Sequence, residues 1–207
     1  MIKQRNDGFT LLEVMIALTI MALIAVNIAM VTRTGSEAAR AGIFDITLND
    51  EADTTLDRIT LAVMSSRADD IYPRRTSPGF TSDITYSVTL GYEDGVEVQS
   101  PPENISFNET PGGGQIVWLE SPGEADERRV VWSNWVPTLG SSIFAGQAFT
   151  KEELNGVDDN GNELPDEAGL AFDMDGDLVN IHLTIERIGP RGSLVPASRL
   201  VQVTCRN

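Results

Sequence analysis

From Phe9 to Val31 the chain runs 23 residues with one charge, Glu13, and one side-chain amide, Asn27. At a helical rise of roughly 1.5 Å per residue that stretch is about 35 Å long, enough to cross a bilayer core of about 30 Å. Residues 1–8 ahead of it are polar and carry Lys3 and Arg5. Positive charge before an apolar span predicts a cytoplasmic N-terminus and an exported remainder.

Three readings compete for this segment. A secretory signal has a shorter apolar core closed by a small-residue cleavage site, and no Ala-x-Ala site closes this one. A plain single-span anchor leaves Glu13 unexplained, because a carboxylate inside an apolar run costs a few kcal/mol unless it is paired. The third reading explains both the leader and the charge. The stretch Gly8-Phe9-Thr10-Leu11-Leu12-Glu13-Val14 closely resembles the signal of the type IV pilin and type II secretion pseudopilin families.

That resemblance implies a prepilin peptidase that cuts between Gly8 and Phe9 and methylates the new Phe9 amine. It also implies that Glu13 meets the Phe9 amine of a neighbouring subunit during assembly. Other pilins or pseudopilins, a cytoplasmic ATPase and an assembly platform protein are the further partners it implies. The localisation it implies is the bacterial inner membrane, single-pass with the head in the periplasm, and then a pilus or pseudopilus filament.

Past the span the helical pattern continues. Leu48, Ala52, Leu56, Ile59 and Val63 recur at three- and four-residue steps, while Asn49, Asp50, Asp53, Asp57, Arg58 and Arg67 take the other side. The first proline is Pro73, and the residue before a proline avoids the α region, so the helix is expected to stop near Tyr72. After it, short β-type runs alternate with Gly-, Pro- and Ser-rich breaks. Strands are expected at Ile84–Tyr92, Ile105–Asn108, Gln115–Leu119, Arg129–Trp135, Leu178–Arg187 and Arg199–Cys205. The last two read as a hairpin about Gly189-Pro190-Arg191-Gly192. Trp118, Trp132 and Trp135 fall in strand runs and read as core or inter-subunit packing. The fold class is therefore α+β and pilin-like, a long N-terminal helix packed on an antiparallel sheet. Its expected organisation is leader 1–8, membrane or filament-core helix 9–31, amphipathic helix 32–71 and acidic head 72–207.

Acidic residues outnumber basic ones by 31 to 15, for a formal charge of −16. Phosphate neutralisation needs lysine and arginine, so a nucleic-acid partner is not expected. The density of acid peaks between Lys151 and Asp177, with ten acidic residues against one basic. Within it Asp158, Asn160 and Asn162 alternate, and Asp166 follows. That is the spacing by which a tight loop turns several oxygens onto one hard cation. The stretch resembles short calcium loops, with Leu164 placed to give a carbonyl and Asp166 or Glu167 to close the shell. It departs from an EF-hand, since Glu163 replaces the loop glycine and Gly169 takes the closing position. A Ca²⁺ loop over residues 155–169 is expected, with the ion structural rather than sensory. Asp173-Met174-Asp175-Gly176-Asp177 reads as a hairpin turn, from which Asp173 or Asp175 could lend a ligand.

Cys205 is the only cysteine and His182 the only histidine. They read as packed strand residues and cannot build a tetrahedral zinc site. No Gly-x-Ser-x-Gly elbow, P-loop or dinucleotide turn is present, and the chain is not expected to be an enzyme. Asp50–Met64 resembles the corresponding run of J-type minor pseudopilins and W-type minor pilins, which implies a minor subunit rather than a major pilin. The alternative of a different class is a membrane-anchored, calcium-dependent module that binds a secreted substrate or surface ligand.

Overall fold

The structure is a computed structural model. It describes residues 10–74, 80–111, 113–138, 143–144, 147–148, 156–157 and 167–206. By internal contacts the chain divides into two units, Met1–Phe44 and Asp45–Asn207.

One helix, α1, runs from Leu11 to Ser65. Within the first unit its large apolar side chains from Leu11 to Val31 are between 48% and 81% exposed. In the second unit the same helix turns amphipathic. Leu48, Ala52, Thr55, Leu56, Ile59 and Val63 are buried there, the stripe expected from the spacing with Thr55 added. Each fully buried Leu, Ile or Val of that stripe contributes about 1.5–3 kcal/mol.

The helix ends earlier than the proline predicts. Ser65 and Ser66 turn their hydroxyls back onto the carbonyls of Leu61 and Ala62, a local bond that competes with helix continuation. Ser66 then pairs with Val88, and its carbonyl accepts the Arg206 amide. Residues 66–71 therefore leave the helix, with a 3₁₀ turn, η1, at Ala68–Asp70.

Among the described residues the head carries eleven strands. β1 (Asp83–Tyr86), β4 (Glu103–Thr110), β5 (Gly113–Glu120) and β6 (Arg128–Val136) form an antiparallel sheet in the order β1-β4-β5-β6. β9 (Leu170–Asp175), β10 (Leu178–Ile188) and β11 (Leu194–Thr204) form a second antiparallel sheet, with β10 central. β2 (Thr89–Glu93) and β3 (Val96–Gln99) make a separate hairpin, and β7 (Ile143–Phe144) and β8 (Gln147–Ala148) a minimal one.

The run expected as one strand, Ile84–Tyr92, is thus two strands in different sheets. Asp94 and Gly95 both take positive φ at the β2–β3 turn, and that two-residue turn lets the chain fold back at once. The stretch Asp173–Asp177 is likewise only partly a turn, since Asp173 and Asp175 belong to β9 and only Gly176 and Asp177 lie between the strands. The hairpin at Gly189–Gly192 stands as expected. β11 begins at Leu194, ahead of Pro196, which it tolerates because it is an edge strand.

Both sheets are fastened to the second half of α1. Glu51 accepts a hydrogen bond from Ser133 on β6 at 3.0 Å and pairs with Arg187 on β10 at 3.7 Å. Arg199 on β11 donates to Asp53 and to Asn49, each at 2.7 Å. Val179, Ile181, Leu183 and Ile185 are buried on the β10 face that Arg199 shares across the ladder with Leu183. The core therefore lies between that helix face and the sheets.

Candidate functional site at the helix N-terminus

Thr10 is the N-cap of α1 and Glu13 sits three residues on. The Glu13 amide donates to Thr10 Oγ1 at 3.3 Å, and Glu13 Oε2 accepts from the Thr10 amide and hydroxyl, each at 2.9 Å. This reciprocal pair is a capping box. It holds the one carboxylate of the apolar segment against backbone groups that the first helical turn leaves unpaired. Sequence reasoning found Glu13 but missed Thr10, although Thr-x-x-Glu before an apolar run was a readable signal. Gly8 and Phe9, the expected cleavage and methylation site, lie outside the described residues.

The other polar groups of the span turn inward on the helix itself. Thr19, Asn27 and Thr32 donate to the carbonyls of Ile16, Leu23 and Ile28, each at 2.8 Å. Such bonds leave those donors satisfied in an environment without water. The helix is long and apolar enough to cross a membrane. Just beyond Val31 the surface becomes charged, with Arg33 and Glu37 paired at 3.0 Å one turn apart.

Of the expected calcium ligands, Asp158, Asn160, Asn162, Leu164 and Asp166 lie outside the described residues. Glu167 is described and is buried just ahead of β9. Among the described residues no three Asp, Glu, His or Cys side chains come together as a metal-binding group. His182 is buried in the centre of β10 as expected, and Cys205 is buried too but lies just past the end of β11 rather than in the strand. Burial pushes the Cys205 thiol above its usual pKa, with Asp177 adding to the effect. A cavity of about 100 Å³ beside it is lined by Ala68, Ile71, Met174 and Val179, a volume for a few waters and not for a cofactor.

The tryptophans are half-buried packing residues. Val117 pairs with Val131 and Ile116 with Ser133, which leaves Trp132 in a bulge. Trp132 stacks on Trp118 at 6.3 Å between ring centres, and Arg187 lies 4.7 Å over Trp135. Glu103 accepts from Tyr86 Oη and Trp118 Nε1, each at 2.7 Å. Burial first, and then this carboxylate, drive the Tyr86 phenol well above its ordinary pKa.

Comparison with known proteins bears on the same end of the molecule. No curated protein and no solved structure matches the chain. The family model described as the prokaryotic N-terminal methylation motif matches residues 3–26, a stretch that contains Gly8, Phe9, the Thr10–Glu13 box and most of the apolar run. The chain thus carries the N-terminal signal of pilin-like precursors on a helix able to cross a membrane.

Proposed function

We propose that this protein is a minor pilin-like filament subunit. It is cut between Gly8 and Phe9 and N-methylated by a prepilin peptidase, held in the inner membrane with its head in the periplasm, and then assembled through α1 into a type II secretion pseudopilus or a type IV pilus. The observation that carries the reading is the coincidence of the methylation motif with a helix apolar on all sides. Nothing in its own unit buries Leu11–Val31, whereas the second half of the same helix is packed by the head. A large exposed apolar surface needs a lipid or protein cover. Lipid supplies it before assembly, and the helices of neighbouring subunits supply it afterwards. Resemblance of Asp50–Met64 to J-type pseudopilins and W-type pilins favours the minor class.

A clean chromosomal deletion, scored in parallel for surface filaments and for secreted proteins, tests this. Lost secretion with filaments intact identifies a pseudopilin, and lost filaments with secretion intact a minor pilin. Mass spectrometry of the membrane fraction is expected to find a mature chain starting at N-methylated Phe9. A full-length chain that keeps Met1 and Gly8 would overturn the proposal.

A further inference from the structure

The face of the second sheet turned away from α1 carries Ala171, Asp173 and Asp175 on β9. Across the ladder from them stand His182, Asn180 and Leu178. A chain of donors crosses this face. Gln202 Nε2 donates to Asn180 Oδ1 at 3.1 Å, and Asn180 Nδ2 donates to Asp173 Oδ2 at 3.1 Å. There it stops. Asp173 is only 8% exposed, and its other oxygen, Oδ1, is buried and accepts no hydrogen bond. No salt bridge among the described residues reaches it.

A buried carboxylate oxygen with nothing to accept is costly, more so than a neutral group. The local sequence makes the cost worse, since ten acids and one base fill Lys151–Asp177. No cation among the described residues pairs with Asp173, whereas its fixed orientation suits an ion from outside. Asn180 locks one oxygen and so holds the second in place, as the outer partners of a metal-bound carboxylate do. Asp175, two residues along the same strand face, supplies a second carboxylate. Two carboxylates with retained water are a shell that hard divalent cations accept.

We propose that Asp173 is a ligand for a hard divalent cation of the calcium class, bound on this face of the β9–β10 hairpin with Asp175 beside it. The site depends neither on filament assembly nor on the Asp158 loop. The ion neutralises the end of the Gln202–Asn180–Asp173 chain and fixes the second sheet from the side opposite the helix.

The test uses the full-length protein in mild detergent, melted in EDTA and in millimolar calcium chloride. Calcium is expected to raise the wild-type Tm by about 5 °C, the size that a bound ion well above its Kd gives a chain of this length. Asp173→Asn is expected to lose most of that rise, and Asp175→Asn to raise the calcium midpoint about tenfold, the loss of one charged ligand being worth about 1.4 kcal/mol. Asp126→Asn, at an exposed turn between β5 and β6, is expected to respond like wild type. No calcium response in wild type overturns the proposal, as does an undiminished response in Asp173→Asn. Should Asp173→Asn fail to fold, Asp175→Asn decides, and a wild-type midpoint in it overturns the proposal. A doubly substituted loop, Asp158→Ala with Asn160→Ala, locates the ion. Loss of the response there but not in Asp173→Asn assigns the ion to the loop alone and overturns the proposal. Loss in both means that the ion needs the loop as well, which overturns a site built on Asp173 and Asp175 alone.

Discussion

Glu13 and Thr10 satisfy each other at the head of the helix, the carboxylate taking both the amide and the hydroxyl of Thr10 at 2.9 Å. A charge in the apolar segment is therefore partly compensated within one chain, before any neighbour arrives. Capping and charge are separable roles for Glu13. Glu13→Gln keeps an acceptor for the cap and removes the charge, whereas Glu13→Ala removes both. Both variants are expected to be cut between Gly8 and Phe9 and to be absent from sheared filaments, as immunoblots of membrane and filament fractions would show. Normal incorporation of Glu13→Gln would mean that the carboxylate acts as a helix cap only.

Ile59 and Leu61 stand two residues apart on α1 and face different surroundings. Ile59 is 0% exposed against the head, and Leu61 is 67% exposed. Ile59→Ala is expected to cost about 2–5 kcal/mol through lost burial and a residual cavity. Leu61→Ala is expected to stay within about 0.5 kcal/mol. Urea unfolding of the detergent-solubilised chain, followed by tryptophan fluorescence, reads the head because all three tryptophans lie on β5 and β6. Equal losses for the two variants would show that α1 packs with a different face.

How much of this was legible in the sequence depends on the range of the cause. The buried stripe from Leu48 to Val63 was readable because helical period and burial are one pattern. The Thr10–Glu13 box was equally local and was passed over. Asp94-Gly95 was a readable turn signal too, and it gives β2 a partner of its own in β3. Other features have non-local causes. The local Ser65 and Ser66 back-bonds loosen the end of the helix, and the pairing of Ser66 with Val88 and Arg206, residues distant in sequence, fixes the stop at Ser65. Asn49 and Asp53 looked like solvent-facing polar positions, and Arg199 recruits them from about 150 residues away. β9 hid because its two aspartates resemble a loop, and only its pairing with β10 shows that Asp173 is buried.

Tyr86, Glu103 and Trp118 form a polar node inside an otherwise apolar layer. Tyr86 is 2% exposed, while Tyr72 and Tyr92, the other two tyrosines, are more than half exposed. The folded-state pKa of Tyr86 is raised, so its stability contribution is complete below the unfolded value of about 10 and is lost as pH rises beyond it. Absorbance titration near 295 nm of a Tyr72→Phe, Tyr92→Phe double variant, which isolates the buried phenol, is expected to show Tyr86 ionising only with unfolding. Tyr86→Phe removes the late step and one of the two bonds to Glu103, at a cost of about 1 kcal/mol. Ionisation of Tyr86 in the still-folded protein would show that the node is open to water.

Glu97 couples the β2–β3 hairpin to the end of α1. Thr89 donates to it at 2.5 Å, and Arg67 pairs with it at 2.9 Å. The Thr89 hydrogen bond, followed by Arg67 and Arg206, outweighs burial and holds its carboxyl below the ordinary glutamate pKa. A depressed folded-state pKa gives stability that is present above the unfolded value of about 4.3 and is lost as pH falls through the lower, folded one. Wild type is thus expected to melt above Glu97→Gln at pH 6, and the gap is expected to narrow steadily from about pH 4.5 downward. Comparing each variant with wild type at the same pH cancels the titration of the other carboxylates. The gap is also expected to shrink in about 1 M salt, where screening weakens the half-buried Arg67 pair, while the part due to the Thr89 hydroxyl persists. A gap constant from pH 6 to pH 3 would mean that Glu97 contributes through packing rather than through its charge.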